Sequence, residues 1–266
     1  MAASGTPVVF VHGLWLHADS WGGWVDLFRE AGYTPSAPGW PGDGGSVEET
    51  RSQPDAVAGF GVDDIVEHYA QFIGTLDAKP IVIGHSFGGL IVQRLLAQEL
   101  AVAAVAIDPA PIKGVIYLPP SALRVASIAL KNPANRKRAV ALTPQQFRYG
   151  FGNAISAAES AELYERWTIP SPGRPLFEAA AANLSLHSPA KVDTRNATRG
   201  PLLITAGGKD HTVPAAISNA TFKLYGKSPA LTDLKEFPDR GHSLALDSGW
   251  RDVADAALGW LREHGL

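Results

Sequence analysis

Cysteine is absent from all 266 residues, and methionine occurs once. The first absence excludes disulfides, thiol nucleophiles and cysteine-ligated metal centres, and it suits a reducing compartment. Long apolar runs are also missing. Nothing approaches a membrane span, and the opening MAASGTPVVFVHG has neither a charged leader nor an apolar stretch long enough for a secretory signal. A cytoplasmic location is therefore expected, with no membrane partner. Neither sign of charge dominates: 23 basic residues stand against 26 acidic ones, for a net charge of −3, and the two are interspersed. No basic face is expected for nucleic acid or an anionic membrane surface. What remains, 45% hydrophobic and 18% charged residues, is an ordinary globular composition, large enough for one core plus an insertion.

The most informative stretch is KPIVIGHSFGGLIVQRLL, residues 79–96. Ile81, Val82 and Ile83 form a short β-branched run of the kind that makes a buried strand. Leu90, Ile91, Leu95 and Leu96 then recur at helical spacing. The change of period falls on Gly84-His85-Ser86-Phe87-Gly88, a G-x-S-x-G pattern between strand and helix, where a nucleophile elbow presents its serine. Such a turn strains the serine backbone and needs small neighbours two residues to either side, which Gly84 and Gly88 supply. A serine hydroxyl is a weak nucleophile at neutral pH, so this reading demands a histidine base and a carboxylate to orient it.

Strands are expected at Pro7–Val11, Tyr33–Ala37, Val102–Ile107, Pro201–Thr205 and Leu234–Phe237 as well. Helices are expected at Ser20–Ala31, Val62–Leu76 (capped by Asp63 or Asp64), Ala215–Leu224 and Trp250–Arg262. Alternating strands and helices predict an α/β fold with a mostly parallel sheet covered on both faces. The loop APGWPGDGGS, with its glycines and prolines, is expected to be irregular. From about Asp108 to Gly200 the alternation stops, and only helical patterns remain, at Pro120–Leu130, Pro144–Gly150, Ala157–Trp167 and Pro175–Leu186. The expected organisation is a core of residues 1–110 and 200–266 with a helical cap insertion of residues 111–199 overhanging the carboxyl edge of the sheet, where open α/β folds place ligands.

Two later loops supply partners for Ser86. The strand ending at Thr205 runs into AGGKDHTVP, a glycine turn that delivers Asp210 just beyond a strand's carboxyl end. FPDRGHSL then places His242 before the last helix. Asp108, in VAIDPAP, is the alternative acid because it too ends a strand. The order Ser86, Asp210, His242 is that of the α/β-hydrolase triad, and of neither the chymotrypsin nor the subtilisin arrangement.

Four motifs in this order, VFVHG, GHSFGG, GGKDHTVP and RGH, cover nearly the whole chain and resemble the serine hydrolases of the α/β-hydrolase fold, among them the small esterases, lactonases and cofactor-free haloperoxidases. One departure is visible. The first recognisable strand begins near Pro7, so the antiparallel hairpin that usually opens the fold is missing and about six strands are expected rather than eight. The resemblance implies an oxyanion hole formed by the backbone N–H groups of Leu14 and Phe87. His12 is expected to hold its loop and not to react. Trp15, His17, Phe147, Phe151 and Trp167 are candidates for the pocket lining.

The expected chemistry is two-step acyl transfer on a small or medium hydrophobic ester or lactone. No cofactor and no metal are required, since no two histidines sit at ligand spacing with a carboxylate. The protein is expected to act as a monomer or homodimer. Two other readings keep the same residues: perhydrolase, haloperoxidase-like or lyase chemistry, to which Lys209 beside the acid lends some support, and a non-enzymatic small-molecule receptor.

Overall fold

The structure, a computed structural model, describes residues 5–266. Strand β1 (Pro7–Val11) opens it, and a 3₁₀ turn at Ala18–Trp21 leads into α1 (Gly22–Glu30), β2 (Thr34–Ser36) and the short α2 (Val47–Ser52). Helix α3 (Val62–Ile73) precedes β3 (Ile81–His85), α4 (Phe87–Ala97) and β4 (Ala103–Ile107). Next come α5 (Pro120–Leu130), β5 (Ala139–Val140), α6 (Pro144–Gly150), α7 (Ala157–Trp167), β6 (Ser171–Pro172) and α8 (Arg174–Ala180). The chain then returns to β7 (Leu202–Gly207), α9 (Ala215–Tyr225), β8 (Thr232–Phe237) and α10 (Trp250–Glu263).

Six strands form one sheet in the order β2-β1-β3-β4-β7-β8, every neighbouring pair parallel. Side-chain alternation divides the core in two. Val8 and Phe10 of β1, with Ile81, Ile83 and Val105, face Trp24 and Phe28 of α1 and Val253 and Leu261 of α10. Val9, Val11, Val82 and Ala106 face Ile65 and Tyr69 of α3 and Leu90 and Ile91 of α4. Burial on both faces explains why β3 and β4 read as continuous apolar runs. Phe10 shows how tightly the first face closes, with ring centroids 5.0 Å from Trp21 and 5.4 Å from Phe28; each such side chain removed from water contributes about 1.5–3 kcal/mol.

The strand order also locates the ligand crevice. From β1 the chain moves outward to β2, whereas from β3 it moves the opposite way to β4. The loops after β1 and β3 therefore diverge, and the gap between them at the carboxyl edge is the topological switch point, where open α/β sheets bind ligands. His12-Gly13-Leu14 leaves β1 and Ser86 leaves β3 at this gap.

Three expectations need correction, and one helix, α2, lies where the sequence carried no expectation. Val47–Ser52 is helical although VEETRS carries a single apolar residue, because Ser46 caps it by accepting a hydrogen bond from Glu49 N at 3.1 Å. Helix α3 begins at Gly61 as its cap, with Asp64 accepting from Gly61 N at 2.8 Å, and it stops at Ile73. Helix α8 ends at Ala180, and the Asn183 amide instead bridges to another loop, accepting from Gly114 N and donating to the Val115 carbonyl. The segment between β4 and β7 also contains a two-stranded antiparallel pairing, β5 with β6, that its short apolar content conceals. Among the described residues no helix is long and apolar enough to cross a membrane.

Candidate active site

Ser86 sits between β3 and α4 with φ 58° and ψ −119°, in backbone space that a non-glycine residue occupies only when its surroundings impose it. The imposition is visible. Ser86 N donates to the Ile107 carbonyl at 2.9 Å and its own carbonyl accepts from Ala110 N at 2.9 Å, so β4 clamps the turn. A methyl group added at Gly84 would lie 2.2 Å from the Gly88 oxygen, and one at Gly88 would lie 2.1 Å from the Val11 oxygen. Both glycines are thus required by the close approach of strand and helix. Gly13 is constrained by the serine itself, since a Cβ there would lie 2.8 Å from Ser86 Cβ.

The amides of Leu14 and Phe87 flank this serine. Neither donates to a backbone or side-chain acceptor among the described residues, and Phe87 N also carries the positive end of the α4 dipole. The next amide along, that of Trp15, is committed to Ser171 Oγ at 2.6 Å. Trp15 has φ 66°, and this bend separates its N–H from that of Leu14.

His242 lies fully buried in the loop after β8 and donates its Nδ1–H to Asp210 Oδ2 at 2.6 Å. Asp210 is fixed in turn by Thr212 N at 2.6 Å and Val213 N at 2.8 Å, both on Oδ1. The outward nitrogen of His242, Nε2, is buried and has no hydrogen-bond partner among the described residues, Ser86 Oγ included. The imidazole packs against Phe151 at 4.7 Å and His85 at 4.6 Å between centroids. Burial, and then His242 itself, push the His85 pKa well below the ordinary histidine range, so its ring packs as a neutral plate.

Asp108 is the second buried acid. It has φ 42°, and both its oxygens accept from Gly207 N, at 3.0 and 3.1 Å. Asp108, Asp210 and His242 bring one ligand-capable atom each to within 4.8 Å of one another. Donor directions argue for proton sharing there and against a cation, because His242 turns an N–H, not a lone pair, toward Asp210. Burial, then the neighbouring Asp210, raise the Asp108 pKa well above the usual carboxylate range. Burial, the largest single influence on Asp210, acts in the same sense, but the His242 charge and hydrogen bonds from His242, Asp108 and Val213 together hold its carboxyl below the usual range.

An apolar pocket of about 140 Å³ opens beside Ser86. Helices α5 and α8 supply much of its wall through Ala122, Ala126, Leu130, Leu176 and Ala179, and Leu14, Trp15 and Val213 complete the side next to the serine. Of the five side chains expected there, Trp15 alone lines it. His17 is turned away, holding the Gly44 carbonyl and the Asp19 amide. Phe147 is wholly buried and stacks on Phe151, which faces His242. Trp167 borders a separate surface depression with Trp24 and Trp250. Aromatic content within the helical segment did not mark this wall; the signal that marks it is the aliphatic stripe of α5, Ala122, Ala126 and Leu130, at helical spacing.

The supports of the histidine loop also escape sequence reasoning. Ser243 Oγ donates to the buried Asp247 at 2.7 Å, Arg240 pairs with the same carboxylate, and Ser243 N donates to the Phe151 carbonyl. His12 is held by the Gly13 carbonyl, Trp40 N and Asp43. Lys209 pairs with Asp239 at 2.8 Å on the surface and does not reach the serine's pocket.

The model described as "Alpha/beta hydrolase family" matches residues 8–256. Among solved structures the chain is similar to a monoacylglycerol lipase from Paleococcus ferrophilus, at 24% identity and TM-score 0.70 over 98% of this chain and 96% of that one. It is also similar to a methylesterase from Arabidopsis, at 18% identity and TM-score 0.68 over 97% and 99%. A third is a putative non-heme bromoperoxidase from Mycobacterium tuberculosis, at 22% identity and TM-score 0.71 over 97% and 92%. These identities establish a shared fold. No curated protein matches the sequence.

Proposed function

The chain belongs to the alpha/beta hydrolase family, and on that premise we propose that it is a serine hydrolase acting on a small to medium hydrophobic carboxylic ester or lactone. The observation that carries this reading is the strained Ser86, facing an apolar pocket and flanked by the unengaged Leu14 and Phe87 amides. Ser86 Oγ attacks the carbonyl carbon as His242 Nε2 takes its proton, and the tetrahedral oxyanion is received by those two amides. Asp210 keeps the proton on Nδ1, which leaves the Nε2 lone pair toward the serine, and stabilises the imidazolium that forms. Collapse of the intermediate expels the alcohol with the proton from His242. Water, deprotonated by the same nitrogen, then attacks the acyl-enzyme and releases the acid and free Ser86.

The helical segment of residues 111–199 acts as a cap that selects the acyl group. An apolar wall with no charged side chain favours aliphatic acyl groups over charged ones. Peroxide-dependent and lyase chemistry through the same residues receives no comparable support, because Lys209 is engaged with Asp239.

The test is reaction with a fluorophosphonate, followed by intact-mass measurement and peptide mapping. One adduct on Ser86, lost in Ser86→Ala and strongly slowed in His242→Ala, is expected. A folded protein that takes no label, and that turns over esters equally well as Ser86→Ala, removes the covalent mechanism.

A further inference from the structure

Residues 109–158 hold seven of the chain's 23 lysines and arginines and none of its 26 aspartates and glutamates. The near-neutral balance of the whole chain averages over this segregation. Five of the seven, Arg124, Lys131, Arg136, Lys137 and Arg138, are exposed, and none forms an ion pair among the described residues.

The same part of the molecule carries its bare hydrophobic side chains. Of seven large hydrophobics exposed among the described residues, six are Ile116, Tyr117, Leu118, Leu123, Leu184 and Leu186, with Leu184 90% and Ile116 84% exposed. Leu123 lies on α5, and the other five come from two loops that hydrogen bonds hold together: Asn183 bridges to Gly114 and Val115, and Lys113 Nζ donates to the Ser185 carbonyl. Arg136 borders the same surface depression as Ser185 and His187, and Arg124, next to Leu123 in the chain, shares a groove with Lys131, so these three basic side chains flank this apolar rim. Leu118 and Leu123 belong both to the rim and to the wall of the Ser86 pocket. The exposed apolar surface is therefore continuous with the pocket's interior.

We propose that this face docks the protein on an anionic lipid bilayer, with the Ile116–Leu118 and Leu184–Leu186 loops inserted at the headgroup boundary and the basic side chains against the lipid charges. Charge complementarity selects the occupant. A surface with exposed unpaired cations, whose one bordering acid, Glu178, is buried and already paired with Arg174, and with protruding aliphatic tips combines the two signals that stable interfacial binding requires. A protein partner's mixed charges would leave it partly unmatched. Continuity with the pocket gives the docking a use: an ester dissolved in the acyl phase enters between Leu118 and Leu123 without crossing water. That use rests on the proposed hydrolase activity, whereas the docking itself does not.

Co-sedimentation of the full chain with phosphatidylcholine vesicles, and with vesicles containing phosphatidylglycerol as well, tests the proposal. Binding to the anionic vesicles is expected to be at least about tenfold tighter and to weaken as salt is raised. Neutralising Lys131 and Arg136 to glutamine should weaken it about fivefold for each charge removed, and the double variant Leu184→Asp, Leu186→Asp should abolish it. Turnover of a dissolved short-chain ester should change in neither variant. Equal or absent binding to the two vesicle types overturns the proposal. So does a concentration-dependent dimer that the Leu184 and Leu186 changes dissociate, which would make the face a contact between copies of this chain. Because sedimentation needs no turnover, vesicle binding by a protein whose Ser86 takes no fluorophosphonate would overturn the hydrolase reading and leave the docking intact.

Discussion

Strands β4 and β7 lie side by side, and each delivers a buried aspartate at its carboxyl edge, yet the two acids sit in opposite electrostatic situations. Asp210 receives three N–H donors, from His242, Thr212 and Val213. Asp108 receives a shared one from Gly207 and a long one from Thr205 at 3.4 Å, and it faces Asp210. Two carboxyls this close in a dry site do not both ionise. The donors bias the charge toward Asp210: its carboxyl is held below the usual range, whereas burial and then Asp210 raise that of Asp108. Position at a strand end is thus shared by both acids, while the ability to orient His242 belongs to the one with the better hydrogen-bond shell.

The largest expected effect separates the two directly. Asp210→Asn should lower kcat on a soluble ester by about 10⁴-fold with little change in melting temperature, because an amide cannot hold the imidazole tautomer or stabilise its cation. An equally large loss in Asp108→Asn, with Asp210→Asn near wild type, would reverse the assignment. Asp108→Leu comes next. It strips Gly207 N–H of its acceptor and Asp210 of its neighbour, and should cost about 1–3 kcal/mol of unfolding free energy in denaturant titrations.

Asp108→Asn is the mildest, since asparagine reproduces a protonated aspartate in accepting from Gly207 and donating to Asp210. Initial rates should stay within severalfold of wild type. Its stability effect should depend on pH, with a definite sign. The raised pKa means the folded protein holds a proton that the unfolded chain releases, so the Asp108 contribution falls as pH rises from its unfolded value of 3.8 toward its higher folded value. The melting temperature of the variant relative to wild type should therefore climb with pH across that window. A flat difference would mean that Asp108 is ionised in the folded protein.

The six-stranded parallel sheet and the elbow were legible in the sequence because they rest on local signals. β-branched runs, a switch from strand to helix period, and glycines flanking Ser86 are short-range patterns with steric causes. Less was legible in the helical segment, where α5, α6 and α7 match their apolar spacing but α8 is cut short. Its end is set by Asn183, whose partners lie about 70 residues earlier in the chain. Aromatic side chains there read as pocket lining, but Phe147 and Phe151 pack behind His242, and alanines and leucines form the wall beside the serine. Composition cannot tell the two sides of a helix layer apart when both are apolar.

The sequence by itself determined the order Ser86, Asp210, His242, the strand and helix alternation, and the tight turn that only glycines permit, since each depends on residues adjacent along the chain. Tertiary structure alone decided which of two buried aspartates is the stronger acid, which nitrogen of His242 is left free, and where the unbalanced cations and bare leucines gather. Those outcomes depend on distances between segments far apart in sequence, and hydrogen bonds and charges act through space.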